Sequence, residues 1–284
     1  MQAWENAFAR HAIPTAQLLL TIGDTEQQRR WLNARATLEV LLAQKALPVI
    51  NENDSVATEE LRYGDNDRLS ARVAQMIRSD VLILLSDVDG VYTADPRRDP
   101  NACHLPFIAE IDEAIERSAA GTAAGGVGTG GMRTKIAAAR IARAFGCATV
   151  IAAGHDANPV GRLLEGARST VVAARGSPAG AYKQWIAGTL APAGSIAIDD
   201  GAVKALASGR SLLPAGVTSV NGNFDRGACL SVLDGAGTEV ARGIAAYTAA
   251  EAQAIIGCTS SLIAERLGYK GPDELIHRDD LVLL

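Results

Sequence analysis

The sequence predicts an α/β protein: a mostly parallel sheet sandwiched by helices, followed by a small β-rich C-terminal module. Three observations carry this. Runs of strand length are apolar throughout, at residues 16–21 (AQLLLT), 47–50 (LPVI), 81–85 (VLILL) and 148–152, as strands covered on both faces are. Helical stretches separate them, the alternation that marks a parallel sheet. After about Ala174 the texture changes: segments become short and glycine recurs between Gly201 and Gly243.

Element by element, residues 2–10 read as a short helix and 16–21 as the first strand. Thr25 and Gln28 fit a capping box, with Thr25 as N-cap, opening a long helix that ends near Lys45. The strand 47–50 runs straight into Asn51-Glu52-Asn53-Asp54. A helix is expected at 66–77, then the strand 81–85, which stops at Ser86-Asp87. An Ala-rich helix at 134–145 ends at Gly146, a natural C′ residue. A strand at 148–152, a helix near 159–165 and a last strand at 169–173 complete a first domain of residues 1–175. Residues 176–193 read as a linker, with a helix from Tyr182, and 194–271 as the β-rich module. Its runs 229–233 and 239–241 pair as a hairpin across Asp234-Gly235-Ala236-Gly237-Thr238. Residues 272–284 are left as a tail.

Composition narrows the function classes. Hydrophobic residues are 48% and charged residues 21%, ordinary for a soluble globular protein. Aromatics are only 4%, so the core must be built from Ala, Val, Leu and Ile. A net charge of −5 gives no general reason to seek nucleic acid or an anionic membrane. No apolar run is long enough to span a bilayer. Cys103, Cys147, Cys229 and Cys258 lie far apart, without zinc-site spacing; they read as buried free thiols of a cytoplasmic protein. His11, His104 and His155 lack partners at ligand spacing, and no metal-ligating set is expected. Asp95-Pro96-Arg97 reads as a turn.

The chemistry is expected at the carboxyl ends of the strands, where ligands collect in parallel α/β sheets. Residues 125–135 read GGVGTGGMRTK, a glycine-rich loop leading into a helix. Backbone amides there can approach a phosphate, and Lys135 adds a mobile positive charge. Three polar clusters accompany it: Asn51 to Asp54, Asp65-Asn66-Asp67, and Ser86-Asp87-Val88-Asp89-Gly90. Phosphoryl transfer needs positioning and neutralisation of charge on the moving group, and these residue types supply both.

The motifs VINENDSV, YGDNDRLSA, LLSDVDGVYTADPR and GVGTGGMRTK, in that order, resemble the glutamate 5-kinases of the amino-acid kinase superfamily. The stretch from LLPAGV to GIAAYT resembles the PUA domain that many of them carry, and HRDDLVLL resembles their C-terminal end. The resemblance implies transfer of the ATP γ-phosphate, with Mg2+, to the side-chain carboxylate of glutamate, the first step of proline biosynthesis. It implies a glutamate site of Asn51, Asp54, Asp65, Asn66 and Asp67, with Asp67 also organising the catalytic Lys135. Ser86, Asp87 and the run Thr129, Gly130, Gly131, Met132, Arg133, Thr134 and Lys135 are the implied ATP contacts. Feedback inhibition by proline and homo-oligomers are further implications. PUA modules often bind RNA, but residues 194–271 hold six basic against seven acidic side chains, whereas nucleic-acid binders show a basic excess. The family also opens with a strand, a lysine- and glycine-containing phosphate loop and a Ser/Gly-rich segment that this sequence does not show. The fold is therefore expected to be N-terminally incomplete, and the chain alone inactive or nearly so.

Overall fold

The computed structural model describes residues 1–53, 66–120, 131–188 and 190–284. It divides into two compact units, Met1–Pro178 and Ala179–Leu284.

The first unit begins with α1 (Gln2–Ala9), β1 (Thr15–Leu20), α2 (Ile22–Glu26), α3 (Gln28–Ala43) and β2 (Leu47–Glu52). The expected cap at Thr25 falls one turn too late. Thr21 is the N-cap, and its N–H and hydroxyl both donate to the Asp24 carboxylate at 2.7 Å. The resulting helix is only five residues long. The chain turns extended at Gln27, and the long helix α3 starts at Gln28. Two helices thus start here in place of one, and the first is capped by the threonine with an acid at N3.

The chain resumes with α4 (Asn66–Met76), β3 (Val81–Ser86), the short β4 (Val91–Tyr92), β5 (His104–Leu105) and β6 (Phe107–Ile108), and α5 (Glu113–Ala120). Then come α6 (Met132–Ala144), β7 (Ala148–Ala153), α7 (Pro159–Leu164) and β8 (Ser169–Val172). Among the described residues the strands form separate sheets. β1 and β2 pair in parallel. A second sheet has the order β3-β7-β8-β6. In it β3 and β7 run parallel, but β8 runs antiparallel to β7, with Ser169 opposite Ala152. The sheet is therefore mixed at the strand that a periodicity argument orders least well.

Alanine sets the packing. Ala138, Ala139 and Ala142 of α6 are fully buried with Ala71 of α4, Ile151 of β7 and Val172 of β8. Side chains this small let the helices approach closely, which offsets the shortage of aromatics. α4 also packs on the first sheet through Leu69, beside Leu20 and Ile50. α6 ends as expected: Gly146 takes φ +75°, its N–H donates to the Arg143 carbonyl, and Cys147 N–H to the Ala142 carbonyl. This is the Schellman pattern, which needs a left-handed residue at C′.

The helix α8 (Pro178–Gly188) occupies much of the expected linker. The second unit then contains β9 (Gly194–Ile198), α9 (Asp200–Ala207), β10 (Val217–Gly222), β11 (Cys229–Leu233), β12 (Glu239–Ile244), α10 (Ala249–Ala254), α11 (Ile263–Leu267) and β13 (Leu281–Leu283). Its sheet order is β10-β9-β11-β12-β13. The expected hairpin is β11 with β12, and Asp234 accepts from the N–H groups of Ala236 and Thr238 in the turn. Residues 272–284 do not trail away. β13 pairs with β12, and Leu275, Ile276 and Leu281 sit in the unit's core. Leu281 of the apolar LVLL ending is thereby accounted for by burial, while Leu283 and Leu284 stay exposed. Among the described residues no helix is long and apolar enough to cross a membrane.

Candidate active site

The site is built where two helices begin. Asp67 lies in the first turn of α4, and Thr134 and Lys135 in the first turn of α6. These helices pack side by side in the core, so their N-termini meet. Lys135 Nζ donates to Asp67 Oδ2 at 3.1 Å, and the Thr134 hydroxyl donates to the same oxygen at 2.8 Å. The Lys135 side chain is only 9% exposed and that of Asp67 17%. A charge that is nearly out of water is tolerated where it is paired and hydrogen-bonded, and this one is both.

Lys135 also lines a cleft of about 350 Å³. Gly131 and Met132 line it on the same side, at the start of α6. The opposite wall is the segment after β3, with Asp87, Asp89, Tyr92 and Asp95 facing in. Ser86 ends β3 and donates its hydroxyl to Asp87 Oδ1 at 2.9 Å. This wall is supported from behind. Thr170 of β8 is fully buried; its oxygen accepts from Val91 N–H at 2.7 Å and donates to the Leu105 carbonyl at 2.6 Å. Gly90 passes so close that a Cβ there would sit 2.5 Å from His104 Nε2 and 2.7 Å from Thr170 Oγ1. Burial, then the nearby Arg168 charge, lowers the His104 pKa, with Asp89 partly opposing. His104 is thus a neutral packing group behind the wall.

A second cavity, of about 380 Å³, opens on the other side of the start of α4. Asn51 at the end of β2, with Asn66 and Ser70 of α4, gives polar groups near one end; the apolar lining runs from Ile50, Leu69 and Val73 along α4 to Ile77 and on to Val81, Leu82 and Ile83 of β3. Asn66 and Asp67 are adjacent, so the α4 N-terminus stands between the two cavities.

The expected site residues therefore divide. Asp67, Asp87, Gly131, Met132 and Lys135 gather at the cleft or at its lysine. Asn51 and Asn66 gather at the second cavity. Arg133 is not brought to the cleft: one residue further round α6, it lines a groove with Arg68 and Glu113. Thr134 lines that groove too, although its hydroxyl reaches Asp67. Asp54, Asp65, Thr129 and Gly130 lie outside the described residues. Asp95, Pro96 and Arg97, read as a turn, do form one, with Arg97 N–H donating to Asp95 Oδ1, and the same three residues line the cleft. His155, which lacks partners at ligand spacing in the sequence, lines it as well. No spacing signal points to Thr170 or Arg168, because only the tertiary fold brings β8 to residues 89–92. Among the described residues no group of three His, Cys, Asp or Glu side chains could hold a metal ion.

Residues 1–153 match the amino acid kinase family, and residues 194–267 match the PUA domain. Glutamate 5-kinase of Caulobacter vibrioides is 56% identical over 285 residues, spanning 100% of this chain and 75% of that protein. The chain belongs to the glutamate 5-kinase family. Glutamate 5-kinase 1 of Rhizobium meliloti is 54% identical over 282 residues, 99% of this chain and 72% of the relative. UMP kinase from Ureaplasma parvum covers 60% of this chain and 65% of its own, at a TM-score of 0.42 and 18% identity, too remote to bear on the site. The family assignment extends across both units, so the β-rich second unit corresponds to the PUA domain.

Proposed function

We propose that this protein transfers the γ-phosphoryl group of ATP to the side-chain carboxylate of glutamate, giving glutamyl 5-phosphate and ADP, the first step of proline biosynthesis. The observation that carries this is the Lys135–Asp67 pair, set between two cavities of different character. Relatives named glutamate 5-kinase align over the whole chain, and use of ATP follows from membership of a kinase family.

The reaction joins a glutamate carboxylate oxygen to the γ-phosphorus and breaks the bond to the β,γ-bridging oxygen. A glutamate side chain is already ionised at neutral pH, so no proton has to be removed and no general base is required. Asp67 therefore acts by holding Lys135, not by abstracting a proton. Lys135 places positive charge on the phosphoryl oxygens as charge moves through the transition state. Ser86, Asp87 and Gly131 to Met132 flank the nucleotide, and Asn51 and Asn66 donate to the carboxylates of glutamate. Asp54, Asp65, Thr129 and Gly130 belong to the same sites by motif. Mg2+ fits the hard oxygen donors here: Asp87, whose pairing with Arg97 is long at 3.8 Å, would hold it together with phosphate oxygens and water. When bound, the ion would neutralise part of the phosphate charge. A cytoplasmic homo-oligomer inhibited by proline completes the proposal.

The test is glutamate-dependent ADP release with hydroxylamine trapping of the acyl phosphate. It is run on this chain and on the protein extended upstream in the same reading frame. Trapped glutamyl hydroxamate from either supports the proposal. ADP release that ignores glutamate in both, or no release from either, refutes it.

A further inference from the structure

The cleft wall presents three carboxylates, Asp87, Asp89 and Asp95, to the place where a polyanion would bind. Like charges in one cleft repel, so a triphosphate site built this way needs countercharge on its wall. Each carboxylate has its own arginine. Arg97 lies 3.8 Å from Asp87 and Arg98 3.7 Å from Asp95, both within the same loop. The third partner comes from elsewhere in the fold: Arg168, just before β8, lies 3.5 Å from Asp89.

Arg168 does more than pair. Its Nη1 also donates to the Tyr92 hydroxyl at 3.2 Å, and that hydroxyl donates to Asp89 Oδ1 at 2.9 Å. The three side chains close a triangle, and two of them face the cleft. Tyr92 is further braced edge-on by His104, with ring centroids 5.2 Å apart. Arg168 itself is absent from the cleft lining.

We propose that Arg168 is a positioning residue for the nucleotide. It fixes Asp89 and Tyr92 in the cleft wall and cancels the Asp89 charge that would otherwise repel the triphosphate. This rests on the nucleotide reading of the cleft given above.

The experiment is a double-mutant cycle on the full chain, with the Kd for ATP in the presence of Mg2+ measured by calorimetry and folding checked by thermal melting. Arg168→Ala is expected to weaken ATP binding about 5-fold, the scale of a partly exposed charge pair together with its hydrogen bonds. Arg168→Lys, which keeps the charge but not the fork, recovers part of the loss. In an Asp89→Asn background, where there is no charge left to cancel, Arg168→Ala changes Kd less than twofold. A purely structural role would give the same loss in both backgrounds. Equal losses, or an Arg168→Ala Kd within twofold of wild type, overturn the proposal while leaving the nucleotide reading intact. Wild-type protein that binds no ATP, either as this chain or extended upstream, overturns both. If Arg168→Ala does not fold, Arg168→Gln replaces it with the same criteria.

Discussion

Replacing Asp67 by Asn isolates the contribution of one negative charge to the centre of the site. Asn keeps an oxygen that can accept from Thr134 and Lys135, so geometry is preserved and only the charge is lost. At the observed 3.1 Å, Coulomb attraction is about 5 kcal/mol at an effective dielectric of 20 and about 1 kcal/mol in bulk water. With Lys135 9% and Asp67 17% exposed, the true environment lies between these limits. Breaking a buried pair costs about 3–5 kcal/mol; residual hydration of both groups reduces this to about 2–3 kcal/mol here. Urea unfolding should show a stability loss of that size. In the glutamate-dependent ADP assay, kcat should fall at least about 10-fold as Lys135 loses its fixed position, while KM for ATP moves less. Asp67→Ala should cost about 1 kcal/mol more, because both donors also lose their acceptor. An Asp67→Asn protein within about 0.5 kcal/mol of wild type, and within twofold in kcat, would refute the idea that this pair organises the site.

Other consequences follow from buried and charged groups elsewhere. Thr170→Val keeps shape but strands the Val91 N–H and the Leu105 carbonyl; chemical denaturation should show a loss of about 2 kcal/mol. Glu251 is held at a pKa of about 2, first by its hydrogen bonds from Arg226, then by those from Thr248 and Tyr269. A depressed carboxylate stabilises the fold above its ordinary value of 4.5, and that stability is lost as pH falls from there towards 2. Urea melts of Glu251→Gln should therefore change less than wild type between pH 4.5 and 2. Burial raises the Cys147 and Cys229 thiols to about 11, and Cys258 is also buried; Cys103 alone is exposed. A thiol reagent should then label one cysteine in the native protein and four after denaturation, and rapid native labelling of a second would contradict the packing.

Much of the fold was legible because apolar runs report burial directly. The runs at 47–50, 81–85 and 148–152 became β2, β3 and β7, each a strand of six residues in a parallel pair. Strand direction was not legible. β8 is only four residues long, and nothing in its composition records that it runs backwards. The two-residue strands β4, β5 and β6 are too short for any period to register. The C-terminal residues were undervalued because they were read as a tail, although Leu275, Ile276 and Leu281 are buried. At the site, glycine and lysine chemistry located the α6 N-terminus, and helix geometry could have gone further. Met132 and Lys135 lie three apart and share a face, whereas Arg133 is about 100° away, so its turning to another groove was readable in principle. Arg168 and Thr170 were beyond reach, since their partners lie 65 to 79 residues distant in the chain.

The backward course of β8 has a consequence for how nucleotide affinity can vary between relatives. Because β8 is antiparallel to β7, its first residue lies opposite Ala152, at the rim where β3 ends in Ser86. A parallel β8 would carry Arg168 to the opposite rim, roughly 13 Å away along a four-residue strand. The guanidinium reaches Asp89 only because the connection from Gly154 to Arg168 is a short return through α7, not a full crossover. The length of that connection is thus an adjustable dimension. One residue inserted between Arg168 and Ser169 leaves Thr170 in register, yet shifts the arginine by about 3 Å, enough to release Asp89. Such an insertion is expected to retune the proposed grip on ATP without touching Lys135 or Asp67.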